Sequence, residues 1–283
     1  MHWLVFSAIS IVTLSVANLL QRKLMREEGS QVVASSIVFQ LFCALLIGAV
    51  TAVIGFSVPP LREYWFNFVL MGVLYAGGTL FLFRSLQTIG ASEATILTAS
   101  RALWAVAAGV ILVGDFINAS KVIGIVLVLG AVVLVSYNPR EFKFSKGSLF
   151  ALLAAIFYGL AVANDSYILK HYSDVMTFTT LAFLFPGLIM AVFRPSALPK
   201  AVEFVKSRQM RAMIIMSFFY SVSAIAFYFA FRFGGTASQV SPVQQSDVIL
   251  TVILAAIFLG ERDQLPKKVM GALLTIAGVL LLR

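Results

Sequence analysis

The sequence is poor in the residues that most soluble enzymes and metal sites depend on. It has one cysteine and two histidines among 283 residues. The lone Cys43 sits in an apolar run, so it forms no intrachain disulfide and leaves the redox compartment unreadable. His2 and His171 stand near the chain start and in a loop, without the spacing of metal ligands, so no metal is expected. No Gly-x-Ser-x-Gly, no His-Glu-x-x-His and no paired intramembrane aspartates occur, which argues against an intramembrane hydrolase. No cofactor is expected. Charged residues are scarce as well, at 12% against 60% hydrophobic, with a mean hydropathy of +0.98. A water-soluble globule could not hide that much apolar surface. The chain therefore reads as an all-α integral membrane protein, with the lipid bilayer as its first partner.

The charge that is present is lopsided, 21 basic residues against 12 acidic, for a net charge of +9. The basic residues collect in short loops, where they set membrane orientation and do not signal nucleic acid. The stretch MHWLVFSAIS enters an apolar segment almost at once, without a basic leader or cleavage site, and reads as a retained first helix. A membrane helix needs about 20 largely apolar residues. Ten runs qualify: 3–21, 32–54, 65–85, 91–113, 121–136, 147–168, 175–193, 210–232, 237–259 and 268–282. The runs 121–136 and 268–282 are marginally long. The longest breaks, 22–31, 55–64, 137–146 and 194–209, leave no room for a soluble domain. Pro186-Gly187 predicts a kink in the seventh run.

The chain is doubled. ASEATILTASRALWAVAAGVILVGD at 91–115 aligns without a gap on ASQVSPVQQSDVILTVILAAIFLGE at 237–261, an offset of 146. Ser100 falls on Ser246, and Gly114-Asp115 on Gly260-Glu261; the same offset places Ala17-Asn18 on Ala163-Asn164. This divides the chain into a first repeat at 1–136, a linker at 137–146 and a second repeat at 147–283. Five is an odd number of crossings, so the second copy enters from the opposite membrane face and the halves are expected to be inverted. Inverted repeats typify secondary transporters, which bind substrate near the midplane between the repeats.

In these features the sequence resembles the drug/metabolite transporter superfamily, EamA type. Each block opens on Ala-Ser and closes on Leu-Val-Gly-Asp or Phe-Leu-Gly-Glu. A glycine-containing apolar helix follows, Lys121-Val-Ile-Gly124 and Lys268-Val-Met-Gly271. The resemblance covers essentially the whole chain. It implies a ten-helix transporter, often an exporter of amino acids or other small metabolites, in the cell membrane, here the bacterial inner membrane. It also implies a site lined by helices 1, 3, 4, 6, 8 and 9, with helices 5 and 10 packing the halves together. A non-transporting membrane scaffold is the competing reading.

One residue breaks the apolar pattern most sharply. Arg101 stands in the middle of its run, where it costs at least about 2.5–3.5 kcal/mol. At the 146 offset it falls on Asp247. Each lies about one residue, roughly 1.5 Å of rise, from its helix centre. Inversion preserves depth at the midplane, so the two are expected to pair at or beside a central cavity. Such a pair either locks the halves together, binds the carboxylate and ammonium of a zwitterion, or exchanges a proton at Asp247 as Arg101 moves. Gln244, Gln245 and Thr251 surround Asp247, and Thr98 and Trp104 (or Ala105) share a helix side with Arg101. Pro242 frees a carbonyl nearby, which is tolerated where it lines a cavity. Further candidates for the substrate site are Asn18, Asn164, Tyr75 and Tyr158, with Tyr220 and Tyr228 weighed for stacking. Asp247, Asp165 and Glu93 are the candidate proton carriers. Arg84 and Arg232 read as snorkelling residues, and Asp115 and Glu261 as turn residues at the membrane edge. Since the doubled chain holds both halves, one copy suffices for a transport unit.

Orientation is contested. With both termini in the cytoplasm, as the resemblance implies, the cytoplasmic loops would hold five basic residues and the opposite loops fifteen. The excess of basic residues in cytoplasmic loops that membrane proteins show favours both termini outside.

Overall fold

The computed structural model of the chain describes residues 2–27, 32–86, 88–89, 91–137, 145–258 and 265–282. These contain helices and no strand. Along the chain they are α1 (His2–Glu27), α2 (Val32–Ile54), α3 (Leu61–Leu86), α4 (Ala91–Ala99), α5 (Arg101–Ala108), α6 (Ala119–Ser136), α7 (Lys146–His171), α8 (Val175–Phe193), α9 (Leu198–Lys206), α10 (Met210–Arg232), α11 (Ala237–Gln244), α12 (Ser246–Phe258) and α13 (Leu265–Leu282). Side-chain caps fix several starts. Asp174 accepts from the Met176 and Thr177 amides to open α8, and Asn118 accepts from the Lys121 amide to open α6.

Among the described residues, eight helical segments are long and apolar enough to cross a membrane, where the sequence reading expects ten. The difference lies at 237–259 and 268–282. The first is divided at Gln245 into α11 and α12. The cause is Pro242, which has no N–H for the Ser238 carbonyl; within the next turn, Gln245 N–H bonds the Pro242 carbonyl only three residues back, at 3.0 Å. The second yields Val269–Leu282, a shorter apolar helix. A matching break splits 91–113 at Ser100, whose hydroxyl takes the Leu97 carbonyl at 2.6 Å and competes with the helix ladder. At the 146 offset, the two breaks fall one residue apart. The run past α5 ends in a π-helical turn, Gly109–Val113, closed by Gly114 at φ +73°. By contrast α8 continues as one helix through Pro186.

Helix packing joins the first half of the chain to the second. α1 packs on α10, α2 on α8, α3 on α7, α5 on α11, and α6 on α13. Small polar residues fasten these seams. The Ser10 and Ser223 hydroxyls lie 3.0 Å apart between α1 and α10, and Thr51 meets Thr180 at 3.1 Å between α2 and α8. Asn67 Nδ2 donates to Asn164 Oδ1 at 2.8 Å between α3 and α7, and Asn164 Nδ2 returns a bond to the Asn67 carbonyl at 3.0 Å. Such bonds between membrane helices are worth about 0.6 kcal/mol each. Bare backbone does the same for α6 and α13, where a Cβ on Gly124 would stand 2.8 Å from the Gly278 carbonyl. Large apolar side chains such as Ile111, Val192 and Phe193 face outward, as a lipid solvent allows. The break expected at 194–209 holds the short helix α9, with Ala201 and Phe204 buried and Lys200 and Lys206 exposed.

Candidate functional site: a polar cavity between the halves

α1, α2, α3, α5, α7, α8, α10, α11 and α12 enclose a cavity of about 220 Å³. Its polar lining comes from both halves: Asn18, Gln21, Gln40 and Arg101 from the first, Gln244, Gln245 and Asp247 from the second. Its apolar walls are aromatic, with Phe39, Tyr75, Tyr158, Phe183, Tyr220 and Tyr228 prominent. The two charges reach it through the two helix breaks. Arg101 is the first residue of α5, and Asp247 lies in the first turn of α12. For Asp247 that placement is favourable, since the unsatisfied amides of a helix start attract a carboxylate. Asp247 is buried, and its Oδ2 accepts from Asn18 Nδ2 at 2.8 Å. Its backbone carbonyl accepts from Ser15 Oγ at 3.1 Å, which pins the break to α1. The expected Arg101–Asp247 ion pair is not among the contacts of the described residues, where the ion pair found is Lys170–Asp115 at 3.5 Å. Arg101 and Asp247 instead line one cavity.

Close packing brings Arg101 inward. A Cβ on Gly159 of α7 would stand 2.7 Å from the Arg101 carbonyl and 2.9 Å from the Ala105 amide. Ala102 and Ala105 are fully buried on this face of α5. Glycine and alanine together let the α5 and α7 backbones touch at the break. Gly78 plays the same part on α3, since a Cβ there would meet the Tyr158 ring at 2.9 Å. The Tyr158 hydroxyl lies 3.1 Å from the Thr79 hydroxyl, and its ring centre 6.1 Å from that of Tyr75.

The candidate residues divide. Arg101, Gln244, Gln245, Asp247, Tyr75, Asn18 and Tyr158 line the cavity, as do Tyr220 and Tyr228. Trp104 does not: it is 42% exposed on the outer surface. Its Cβ abuts Gly159, so the ring passes outside α7, and Ala105 takes the inward place. Thr98 does not line the cavity either, because its hydroxyl folds back onto the Ala94 and Thr95 carbonyls of its own helix, at 2.7 and 3.2 Å. Asn164 is spent on the seam with Asn67. Asp165, its neighbour, is fully buried behind the cavity wall, accepting bonds from Tyr75 and Tyr228. The Glu93 side chain and Glu261 lie outside the described residues. Asp115 is buried, not at an exposed edge, and its Oδ2 accepts from the Ser238 amide in the first turn of α11 at 3.1 Å.

Sequence reasoning passed over Gln40, Gln21, Thr79 and the Ser10–Ser223 pair. Gln40 carried a signal: it is a lone amide inside the apolar run 32–54. Its Oε1, like that of Gln244, is buried without a partner among the described residues, and both residues line the cavity.

Comparison with known proteins gives three findings. A family model described as the EamA-like transporter family matches residues 1–137 and 145–283. No curated protein matches the chain. A solved crystal structure shares the fold at a TM-score of 0.73 and 14% identity, over 98% of this chain and 94% of that one.

Proposed function

The chain belongs to the EamA-like transporter family, and on that premise we propose that it is a secondary transporter of small zwitterionic metabolites such as amino acids. The cavity carries this reading. It presents a guanidinium at Arg101 and a carboxylate at Asp247, with neutral amides beside them and aromatic walls around them. A zwitterion offers the complement: its carboxylate suits the planar donors of Arg101, its ammonium suits Asp247 with the Gln40 and Gln244 carbonyls, and its body lies against the tyrosines. The cavity's volume, about 220 Å³, is below the roughly 300–1,000 Å³ of drug-sized pockets, which favours a small metabolite.

Transport runs by alternating access between inverted five-helix halves, 1–136 and 147–283, with ten membrane crossings counted by taking α4–α5 and α11–α12 as one broken crossing each. The packing supports this. Exchanging the halves turns the α1–α10 seam into the α7–α3 seam and returns α2–α8 and α6–α13 to themselves. That is the pattern a two-fold axis between the halves produces. Broken helices beside the charges fit as well, because irregular backbone at membrane depth is tolerated where it lines a cavity. Export across the bacterial inner membrane is the direction the family resemblance implies.

Uptake into proteoliposomes from a panel of amino acids, cationic amines and nucleosides tests the proposal. Wild type should move zwitterionic amino acids, and folded Asp247→Asn should lose at least about tenfold of that rate, the equivalent of 1.4 kcal/mol. Movement of cationic amines or nucleosides alone would overturn the substrate class. Movement of nothing would favour a scaffold.

A further inference from the structure

Asp165 has no place in the cavity lining, yet it sits directly behind it. Its side chain on α7 is 0% exposed. Both hydrogen bonds it accepts fall on one oxygen: Tyr75 Oη donates to Oδ2 at 2.6 Å and Tyr228 Oη donates to Oδ2 at 3.0 Å. Oδ1 is buried and has no partner among the described residues. No lysine, arginine or histidine of the described residues lies within 4.0 Å of either oxygen.

The groups facing it are few. Of the helices packed on α7, α3 supplies Tyr75, α10 supplies Tyr228 and Tyr220, and α5 supplies Arg101, which lines the cavity. α11 and the π-helical turn carry no titratable side chain. α4 carries Glu93 alone, whose side chain lies outside the described residues. Lys170, on α7 itself, is more than a turn away and paired with Asp115.

A carboxylate so placed is a buried charge without a counter-charge at membrane depth, which is strongly unfavourable. A proton on Oδ1 removes the charge and leaves both tyrosine bonds on Oδ2 intact. A route for that proton is present. Tyr75 and Tyr228 line the cavity, and their hydroxyls lie 3.2 Å apart. A tyrosine hydroxyl that passes its proton to Oδ2 takes one from a hydronium ion in the cavity in the same step, which leaves water there and no charge on the ring; a half-turn of the carboxyl group about its Cβ–Cγ bond then carries the proton to the Oδ1 position.

We propose that Asp165 is the proton-binding site of this transporter, filled and emptied through the hydroxyls of Tyr75 and Tyr228, so that proton movement one way drives substrate movement the other. The coupling half of this rests on the transport reading; the proton on Asp165 does not.

Two measurements separate the halves. The infrared spectrum of the purified protein should show a protonated-carboxyl band that is absent in Asp165→Asn and shifted in Tyr228→Phe, which loses one hydrogen bond. Identical wild-type and Asp165→Asn spectra in that region would overturn the proton site whether or not anything is transported. In proteoliposomes, labelled L-phenylalanine should exchange across wild type without a gradient and accumulate about tenfold per unit of pH gradient for one proton per substrate. Asp165→Asn should keep the exchange and lose the accumulation. Accumulation by Asp165→Asn within twofold of wild type would overturn the coupling role. Failure of wild type to exchange L-phenylalanine would count against the transport reading alone, because the infrared band still decides the proton on Asp165.

Discussion

Gly159→Ala probes the contact that turns Arg101 into the cavity. The added Cβ would stand 2.4 Å from the Trp104 Cβ, 2.7 Å from the Arg101 carbonyl and 2.9 Å from the Ala105 amide. Two of these are backbone atoms, which no rotamer change can move aside, so α5 and α7 must separate. Overpacking of this kind costs about 1–3 kcal/mol, and a backbone clash belongs at the upper end. Against it stands the helix preference for alanine over glycine, about 1 kcal/mol. The net expectation is a loss of about 1–2 kcal/mol, or about 2–8 °C in melting temperature at 2–4 °C per kcal/mol. Gly130→Ala is the control. It is exposed on α6 and has nothing within 4 Å of its would-be Cβ, so it should keep the propensity gain and melt at or above wild type. The chain carries its own probe: Cys43 is the single cysteine and 0% exposed. A thiol-reactive dye that fluoresces on reaction therefore reports unfolding in detergent. If Gly159→Ala melts as late as Gly130→Ala, the close α5–α7 approach is not what holds Arg101 in place.

Other expectations follow from single contacts. A double-mutant cycle on Asn67→Ala and Asn164→Ala should return a coupling energy near the 0.6 kcal/mol typical of hydrogen bonds between membrane helices, measured by the same melting assay; additive effects would show the α3–α7 clamp to be idle. Asp115→Ala strips the partner from the buried Ser238 amide and should cost about 1–3 kcal/mol, whereas the Lys170 contact, 46% exposed on the lysine side, adds little. A reporter fused after residue 283 and active only in the cytoplasm should stay silent, because the segment between α8 and α10 carries four basic residues, with Arg211 a fifth in the first turn of α10, and belongs inside with the other basic loops; an active reporter would reverse the orientation.

Arg101 and Asp247 were legible in the sequence because a charge in mid-membrane is costly and asks for a reason, and the repeat offset placed both at one depth. Their relation was less legible. Depth alone says that two residues can meet; whether they pair depends on helix rotation, and here Asp247 reaches Asn18 on α1. Rotation also separates adjacent residues. Asn164 turns to α3 while Asp165, about 100° further round α7, turns to the tyrosines, a division no composition argument draws. Trp104 shares the Arg101 side of an ideal helix, yet the glycine contact on α7 gives the inward place to Ala105 and sends the large ring outside. The two helix breaks were unequally marked. Pro242 announces one. Ser100 gives no comparable sign, because serine in a membrane helix usually continues it, and the competition for the Leu97 carbonyl appears only in three dimensions. Gln40 was overlooked because a neutral amide in an apolar run is a weaker anomaly than a charge, although its cost when unpartnered is of the same kind.

On the proposed function, the cavity holding Arg101 and Asp247 takes up substrate and opens to each side of the membrane in turn. Labelling of Gln244→Cys in oriented membrane vesicles, with Cys43→Ser as background, tests it most directly. Gln244 is 6% exposed and lines the cavity. A membrane-impermeant thiol reagent should label Gln244→Cys from either side, and the transported amino acid should slow labelling from both. Labelling from neither side, or from one side only and unaffected by any solute that moves, would contradict it.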